Sequence, residues 1–129
     1  METNIFIEQN VKTVQLYEPV YKPWGYYICL VSGINYLVKT ICVMPKQKLS
    51  LQSHNYRAEH WIVIEGTAHI VLNEKKQILN YGDSIQIPLS AKHSLQNPYD
   101  KELKIIEIQK GEYISEDDII RYEDSYGRV

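Results

Sequence analysis

From Tyr26 onward, apolar residues come in short bursts divided by Gly, Pro, Asn, Asp and Lys. The bursts occupy residues 26–31, 36–43, 49–52, 59–65, 67–72, 77–80, 84–87, 94–96 and 103–109. Each is too short for a well-buried helix and is rich in Val, Ile, Leu and Tyr, so each predicts a strand. The separators carry turn chemistry. Ser32-Gly33-Ile34-Asn35 reads as a hairpin turn, Met44-Pro45-Lys46-Gln47-Lys48 as a break, Gly66 as a tight corner and residues 73–76 as a polar turn. Tyr81-Gly82-Asp83 and residues 88–92 and 97–101 supply further turns. Short strands punctuated at this spacing predict an all-β sandwich or barrel.

The two ends read differently. Ile5-Phe6-Ile7 is a small apolar cluster, an edge strand or an arm, and residues 14–17 are a possible strand. Pro19 demotes the residues after it from a central position in a sheet, and Lys22-Pro23-Trp24-Gly25 is a turn holding a large aromatic. At the other end Ser115 can cap a helix whose first residues are Glu116, Asp117 and Asp118, with Ile119, Ile120 and Tyr122 to pack it. A short C-terminal helix of about two turns is therefore expected. Nothing resembles a linker or a repeat, so residues 1–129 are expected to form one domain.

Composition narrows the partners. Charged residues make up 23% of the chain and the net charge is −2, with both signs interspersed. A phosphate-backbone footprint is absent, and nucleic acid is not an expected partner. Eleven Tyr stand against one Phe, which suits pleated, half-buried surfaces. Cys29 and Cys42 lie inside apolar bursts and read as small buried hydrophobes rather than a disulfide. Met1-Glu2-Thr3-Asn4 shows no basic leader, and no stretch approaches the roughly 18 apolar residues of a membrane span. A cytoplasmic location and no membrane partner are expected.

The candidate chemistry lies in Gln52-Ser53-His54 and Arg57-Ala58-Glu59-His60-Trp61. Side chains alternate across a strand, so Gln52 and His54 project to the same side. An amide oxygen, an imidazole and a carboxylate this close can be three ligands of one metal ion, with His93 as candidate for a fourth. Trp61 shares a face with Glu59, and His60 faces away. His69 reads as packing or solvent. Arg57 stands between the ligands, suited to a phosphate or another anionic oxygen, or else to a structural salt bridge. Arg121 is a second candidate for a substrate phosphate, against pairing with Asp117, Asp118 or Glu123. Lys22, Lys39 and Lys48 are weaker, because their parity depends on strand boundaries.

Two blocks then fall into step: Gln52-x-His54-x4-Glu59-x6-Gly66, and Gly82-x5-Pro88-x4-His93-x3-Asn97. The pair resembles the two motifs of the cupin superfamily, whose small β-barrels hold a metal in the barrel mouth. The first motif usually reads His-x-His, where this chain has Gln52. The second usually carries Gly two residues after the Pro, where this chain has Ser90. With Pro23-Trp24-Gly25, Leu49-Ser50-Leu51-Gln52, Arg57-Ala58-Glu59-His60-Trp61, Ile87-Pro88-Leu89 and the tail from Glu116 to Arg128, residues 20–129 are similar to the type II mannose-6-phosphate isomerase domain. That domain usually ends bifunctional enzymes that also carry a mannose-1-phosphate guanylyltransferase domain. Where the family often has further histidines after His54, this chain has Asn55-Tyr56.

The resemblance implies a cupin-type double-stranded β-helix, a jelly-roll barrel, with residues 1–19 as an arm or edge strand. It implies a metal-dependent enzyme interconverting mannose 6-phosphate and fructose 6-phosphate, without guanylyl transfer, with metal ligands Gln52, His54, Glu59 and His93. It also implicates Arg57 in activity and points to zinc, although the N/O ligand set admits manganese, iron, cobalt or nickel. A sugar phosphate is the expected small-molecule partner, and a homodimer is plausible for a cupin. Three other readings stay open: a cupin acting on another phosphosugar or nucleotide sugar, a non-catalytic sugar- or metal-binding module, and an Fe(II) oxygenase.

Overall fold

The computed structural model describes residues 6–9 and 12–128, with side chains from Val14 onward. Ile5, of the first apolar cluster, and Met1-Glu2-Thr3-Asn4 lie outside the described residues. Among the described residues thirteen strands succeed one another: β1 Phe6–Gln9, β2 Lys12–Gln15, β3 Pro19–Lys22, β4 Gly25–Gly33, β5 Tyr36–Val43, β6 Leu51–Ser53, β7 Arg57–Glu65, β8 Ala68–Leu72, β9 Lys75–Leu79, β10 Ser84–Ile87, β11 His93–Gln96, β12 Leu103–Gly111 and β13 Ile120–Glu123. They form a β1-β2 hairpin, a six-stranded sheet in the order β10-β7-β12-β5-β4-β3, and a five-stranded sheet in the order β13-β6-β11-β8-β9. All pairings are antiparallel.

Alternation decides what faces inward. Along β7 Arg57, Glu59, Trp61 and Val63 are buried, and along β12 Leu103, Ile105, Glu107 and Gln109 are buried. β5 sends Leu37, Lys39, Ile41 and Val43 the same way. The larger sheet therefore lines the barrel in two zones. Val43, Val63, Leu103 and Ile105 make an apolar half with Ile70 and Leu95 of the other sheet, while Lys39, Arg57, Glu59, Glu107 and Gln109 make a polar half. Burying those side chains of the apolar half contributes about 1.5–3 kcal/mol each.

Turns close the strands where special backbone is available. Asn73 and Glu74 adopt φ of 47° and 72° between β8 and β9, the left-handed pair a two-residue hairpin turn needs. Gly25, at φ 152°, lies where an added Cβ would stand 2.1 Å from the Cys42 carbonyl oxygen. Trp24, just before it, is buried, and its carbonyl accepts from the Met44 N–H at 3.0 Å. Pro19 opens β3, the edge strand of the larger sheet, as the residue demanded. Cys29 and Cys42 are free, buried thiols.

The expected C-terminal helix is not formed, and no helix occurs among the described residues. Ser115 does cap, but only a turn: its hydroxyl accepts from the Asp117 N–H at 3.3 Å. Asp118 spends its carboxylate on the distant N–H groups of Asn55 and Tyr56 rather than on its own segment. The chain beyond it then pairs with an open strand edge, Ile120 opposite Ser53 and Arg121 opposite Gln52. A ladder with β6 satisfies more backbone than two isolated helical turns would.

Candidate metal centre

β6 and the residue after it supply Gln52 and His54, β7 supplies Arg57 and Glu59, and β11 begins at His93. Gln52 and His93 are Cα partners across β6 and β11, so the two sequence blocks are neighbours. His54, Glu59 and His93 each offer one ligand atom, and these atoms lie within 4.8 Å of one another. All three residues are 2% exposed. Glu59 Oε2 stands 3.3 Å from His54 Nε2, and its Oε1 stands 3.7 Å from His93 Nε2.

The ring tautomers favour a cation. His54 Nδ1–H donates to the Asp118 carbonyl at 2.7 Å, and His93 Nδ1–H donates to the Ala91 carbonyl at 2.9 Å. A carbonyl can only accept, so both Nε2 atoms carry lone pairs that converge on the Glu59 carboxylate. Arg57 already exploits one of them, its Nη2–H donating to His54 Nε2 at 3.3 Å. Burial, then the Arg57 and His93 charges, push the His54 pKa down to about 4, and burial lowers that of His93. Two neutral imidazoles and a carboxylate fit a divalent ion of the zinc, manganese, iron, cobalt or nickel kind. Gln52 lines the same cavity; its Nε2–H donates to Ser50 Oγ at 3.0 Å.

A ring of polar groups supports this cluster. Arg57 Nε–H donates to Glu59 Oε2 and its Nη1–H to the Ser115 carbonyl, both at 2.9 Å. Trp61 Nε1–H is shared between Glu59 Oε1 and Glu107 Oε2, each at 3.0 Å. Gln109 Nε2–H donates to Glu107 Oε1 at 2.8 Å. Burial, then the charge of Glu59, raise the Glu107 pKa above the ordinary carboxylate range. Trp61 also packs edge-on to His93, ring centroids 5.5 Å apart, so it is at once barrel core and part of the site wall.

Arg121 belongs to β13 rather than to a helix. It lines the same cavity as Gln52, and its buried Nε has no hydrogen-bond partner among the described residues. Lys22 lines the cavity too. Lys39, left unplaced by the sequence, is buried beside the cluster, whereas Lys48 is exposed outside it. His60 lies between the inward positions of β7, and His69 bonds the Tyr99 hydroxyl at 3.0 Å. Asn97 organises a turn, its Nδ2–H donating to the Val43 carbonyl at 2.9 Å. Ser90, where a Gly was expected, takes φ 63° and donates its N–H to the His54 carbonyl at 2.9 Å, so the departure keeps the turn.

Sequence reasoning missed Glu107, Gln109 and Asp118. The signal for the first two was present: they continue the parity of Leu103 and Ile105, so two polar side chains follow two core positions on one face.

A family model described as mannose-6-phosphate isomerase C-terminal matches residues 9–124. The chain is 46% identical over 114 residues to mannose-1-phosphate guanylyltransferase ManC of Salmonella typhimurium, covering 88% of this chain and 24% of that protein. It is 49% identical over 110 residues to the alginate biosynthesis protein AlgA of Pseudomonas aeruginosa, covering 85% and 23%. The chain thus spans about a quarter of the length of the curated relatives it matches. Among solved structures, a Klebsiella pneumoniae protein with a double-stranded β-helix domain superposes with a TM-score of 0.67 at 17% identity, covering 83% of this chain and 86% of that one. That likeness concerns the fold.

Proposed function

We propose that this chain, which belongs to the mannose-6-phosphate isomerase C-terminal family, is a metal-dependent isomerase interconverting mannose 6-phosphate and fructose 6-phosphate. The observation that carries this reading is the buried convergence of His54, Glu59 and His93, with both imidazoles oriented by backbone carbonyls. A cluster of this kind inside a cupin-type β-barrel argues for a working site rather than a vestigial one.

In this reading Gln52, His54, Glu59 and His93 hold a divalent ion, with zinc the first candidate. When bound, such an ion supplies Lewis-acid stabilisation of the negative charge that builds on the sugar's O1 and O2. Arg57 has two tasks. It fixes the orientation of Glu59 through Nε, and it brings a permanent positive charge to the floor of the cavity. Arg121 takes the phosphate, which its Nε, unpartnered among the described residues, and its place opposite Gln52 support. The aromatic and aliphatic walls, Trp24, Trp61, Ile41 and Leu49 among them, exclude water from the reacting carbons.

The test is a linked assay in which mannose 6-phosphate is supplied and fructose 6-phosphate is detected. Turnover that disappears with chelator and returns with a divalent ion is expected. His54→Ala and His93→Ala should each lose stoichiometric metal by elemental analysis. Absence of turnover in protein shown to carry metal, across zinc, manganese, iron, cobalt and nickel, would overturn the reading.

A further inference from the structure

Lys39 is the anomaly of the barrel interior. Its neighbours on the inward face of β5 are Leu37, Ile41 and Val43, yet its own side chain is 5% exposed and carries an ammonium. Cross-strand register sets Lys39 opposite Cys29 on β4 and Glu107 on β12, and Glu107 in turn opposite Trp61 on β7. Two strand spacings separate the Lys39 and Trp61 backbones by roughly 10 Å, a gap that a lysine and an indole span from either side. Lys39 lines the same cavity as Glu59, His93 and Gln52.

Its partners hold the ammonium without exhausting it. Nζ donates to Glu116 Oε2 at 2.7 Å and lies 3.9 Å from the centroid of the Tyr27 ring. An ammonium has three N–H donors, so capacity remains for an oxygen in the cavity. Burial alone would lower the Lys39 pKa; Glu116, then Glu107 and Tyr27, outweigh burial and raise it. The group is therefore a fixed cation and a donor, not a base. Fold stability does not call for it, since the Glu116 side chain is 54% exposed, so water can take over its carboxylate, and ion pairs open to solvent contribute little. The segment around Glu116 is already tied to the barrel by Asp118 and by the Ser115 carbonyl.

We propose that Lys39 is a catalytic residue of this site, its ammonium donating to the substrate oxygen that turns anionic in the enediolate, with Glu116 as the residue that positions it. The inference rests on the isomerase reading. When a proton leaves C2 of the aldose, its electron pair forms the C1–C2 double bond and the carbonyl pair moves onto O1. Lys39 donates a hydrogen bond to that oxygen and keeps its own proton; the O2 hydroxyl proton then passes to O1, the C2–O2 bond becomes the carbonyl, and return to C1 of the proton taken from C2 gives the ketose. Donors placed where such charge develops change rates by about 100- to 1000-fold.

The experiment compares metal-loaded wild type with Lys39→Met, Lys39→Arg, Glu116→Gln and Glu116→Asp. Lys39→Met should lower kcat at least 100-fold while KM moves less than fivefold and metal content and Tm stay at wild-type values. Lys39→Arg should recover at least tenfold of that loss. Glu116→Gln should lower kcat about tenfold with metal retained, and Glu116→Asp should restore most of it. A Lys39→Met enzyme within threefold of wild-type kcat overturns the proposal, as does a loss of kcat that merely tracks a loss of metal. If Lys39→Met fails to fold, Lys39→Gln is held to the same criteria.

A wild type without turnover refutes the isomerase reading, and Lys39 is then read by calorimetry. The probe is a five-carbon aldonohydroxamate with a terminal phosphate, a stable mimic of the enediolate. A loss of affinity of 30-fold or more in Lys39→Met sustains an anion-holding lysine. Equal affinity in the two proteins, or no binding to wild type, overturns it.

Discussion

Asp118→Asn is the substitution whose effect is tied most directly to the geometry. The Asp118 carboxylate accepts from the N–H groups of Asn55 at 2.8 Å and Tyr56 at 3.0 Å, while its backbone carbonyl accepts from His54 Nδ1 at 2.7 Å. One buried residue therefore satisfies the turn after His54 and orients the His54 ring. The asparagine is isosteric, but its NH₂ must face one of the two backbone N–H groups. One charge-assisted hydrogen bond, at about 1.5–3 kcal/mol, is lost and one donor is left facing another, at about 1–3 kcal/mol. Asn55 and Tyr56 are exposed, so water offsets part of this and about 3 kcal/mol should remain. Urea unfolding of the metal-free protein should show this as a shifted midpoint with an unchanged m-value. Metal affinity should fall about 10- to 100-fold, because the carbonyl that fixes the His54 tautomer moves with the residue. A loss below about 1 kcal/mol would refute the accounting of the two bonds. A full loss of stability with affinity kept within threefold would refute the link to His54.

Other parts of the barrel give three further expected outcomes. The His54 pKa lies near 4 when folded and near 6.5 when unfolded, so between those values the unfolded chain binds more protons and stability falls as pH falls. The contribution is about 3 kcal/mol, present above pH 6.5 and lost towards pH 4, and it should appear as the difference between the urea-derived stability curves of wild type and His54→Gln. The comparison is needed because Glu107, raised in the fold, works in the opposite sense as pH rises; parallel curves would rule out the His54 assignment. Trp61→Phe keeps the ring against His93 but deletes the N–H shared by Glu59 and Glu107, and should cost about 3 kcal/mol by thermal unfolding. Gly25→Ala, whose Cβ would meet the Cys42 carbonyl, should cost about 3 kcal/mol or more, whereas Gly82→Ala, at φ 88° with nothing within 4 Å, should cost only about 1 kcal/mol of backbone strain; equal losses by urea unfolding would contradict this.

Much of the barrel was legible because β-structure writes its period into the chain. Residues 36–43 and 84–87 match β5 and β10 to the residue, and Pro19 marked an edge strand. His54, Glu59 and His93 were legible as candidates through spacing, and the structure brings their ligand atoms together. Lys39 and Glu107 were harder for a physical reason. Which polar residue faces the cavity depends on the register between β5, β12 and β7, a long-range property with no local mark. The terminal segment misled in another way. Ser115 and the acids after it are good N-terminal helix residues, but Asp118 found two backbone donors more than sixty positions earlier in the chain, and Ser115 caps only a turn. Local preference was overruled by a better use of the same carboxylate.

The chain has two tryptophans, and Trp24 and Trp61 both line the cavity over the cluster. Its tryptophan fluorescence therefore comes entirely from the walls of that cavity. The Trp61 indole proton bridges two carboxylates, so a change of charge at either will alter the field on the chromophore. Under the proposed function, metal uptake and sugar-phosphate binding would share one label-free optical readout with protonation of Glu107. Trp24, which makes neither carboxylate contact, is its internal reference.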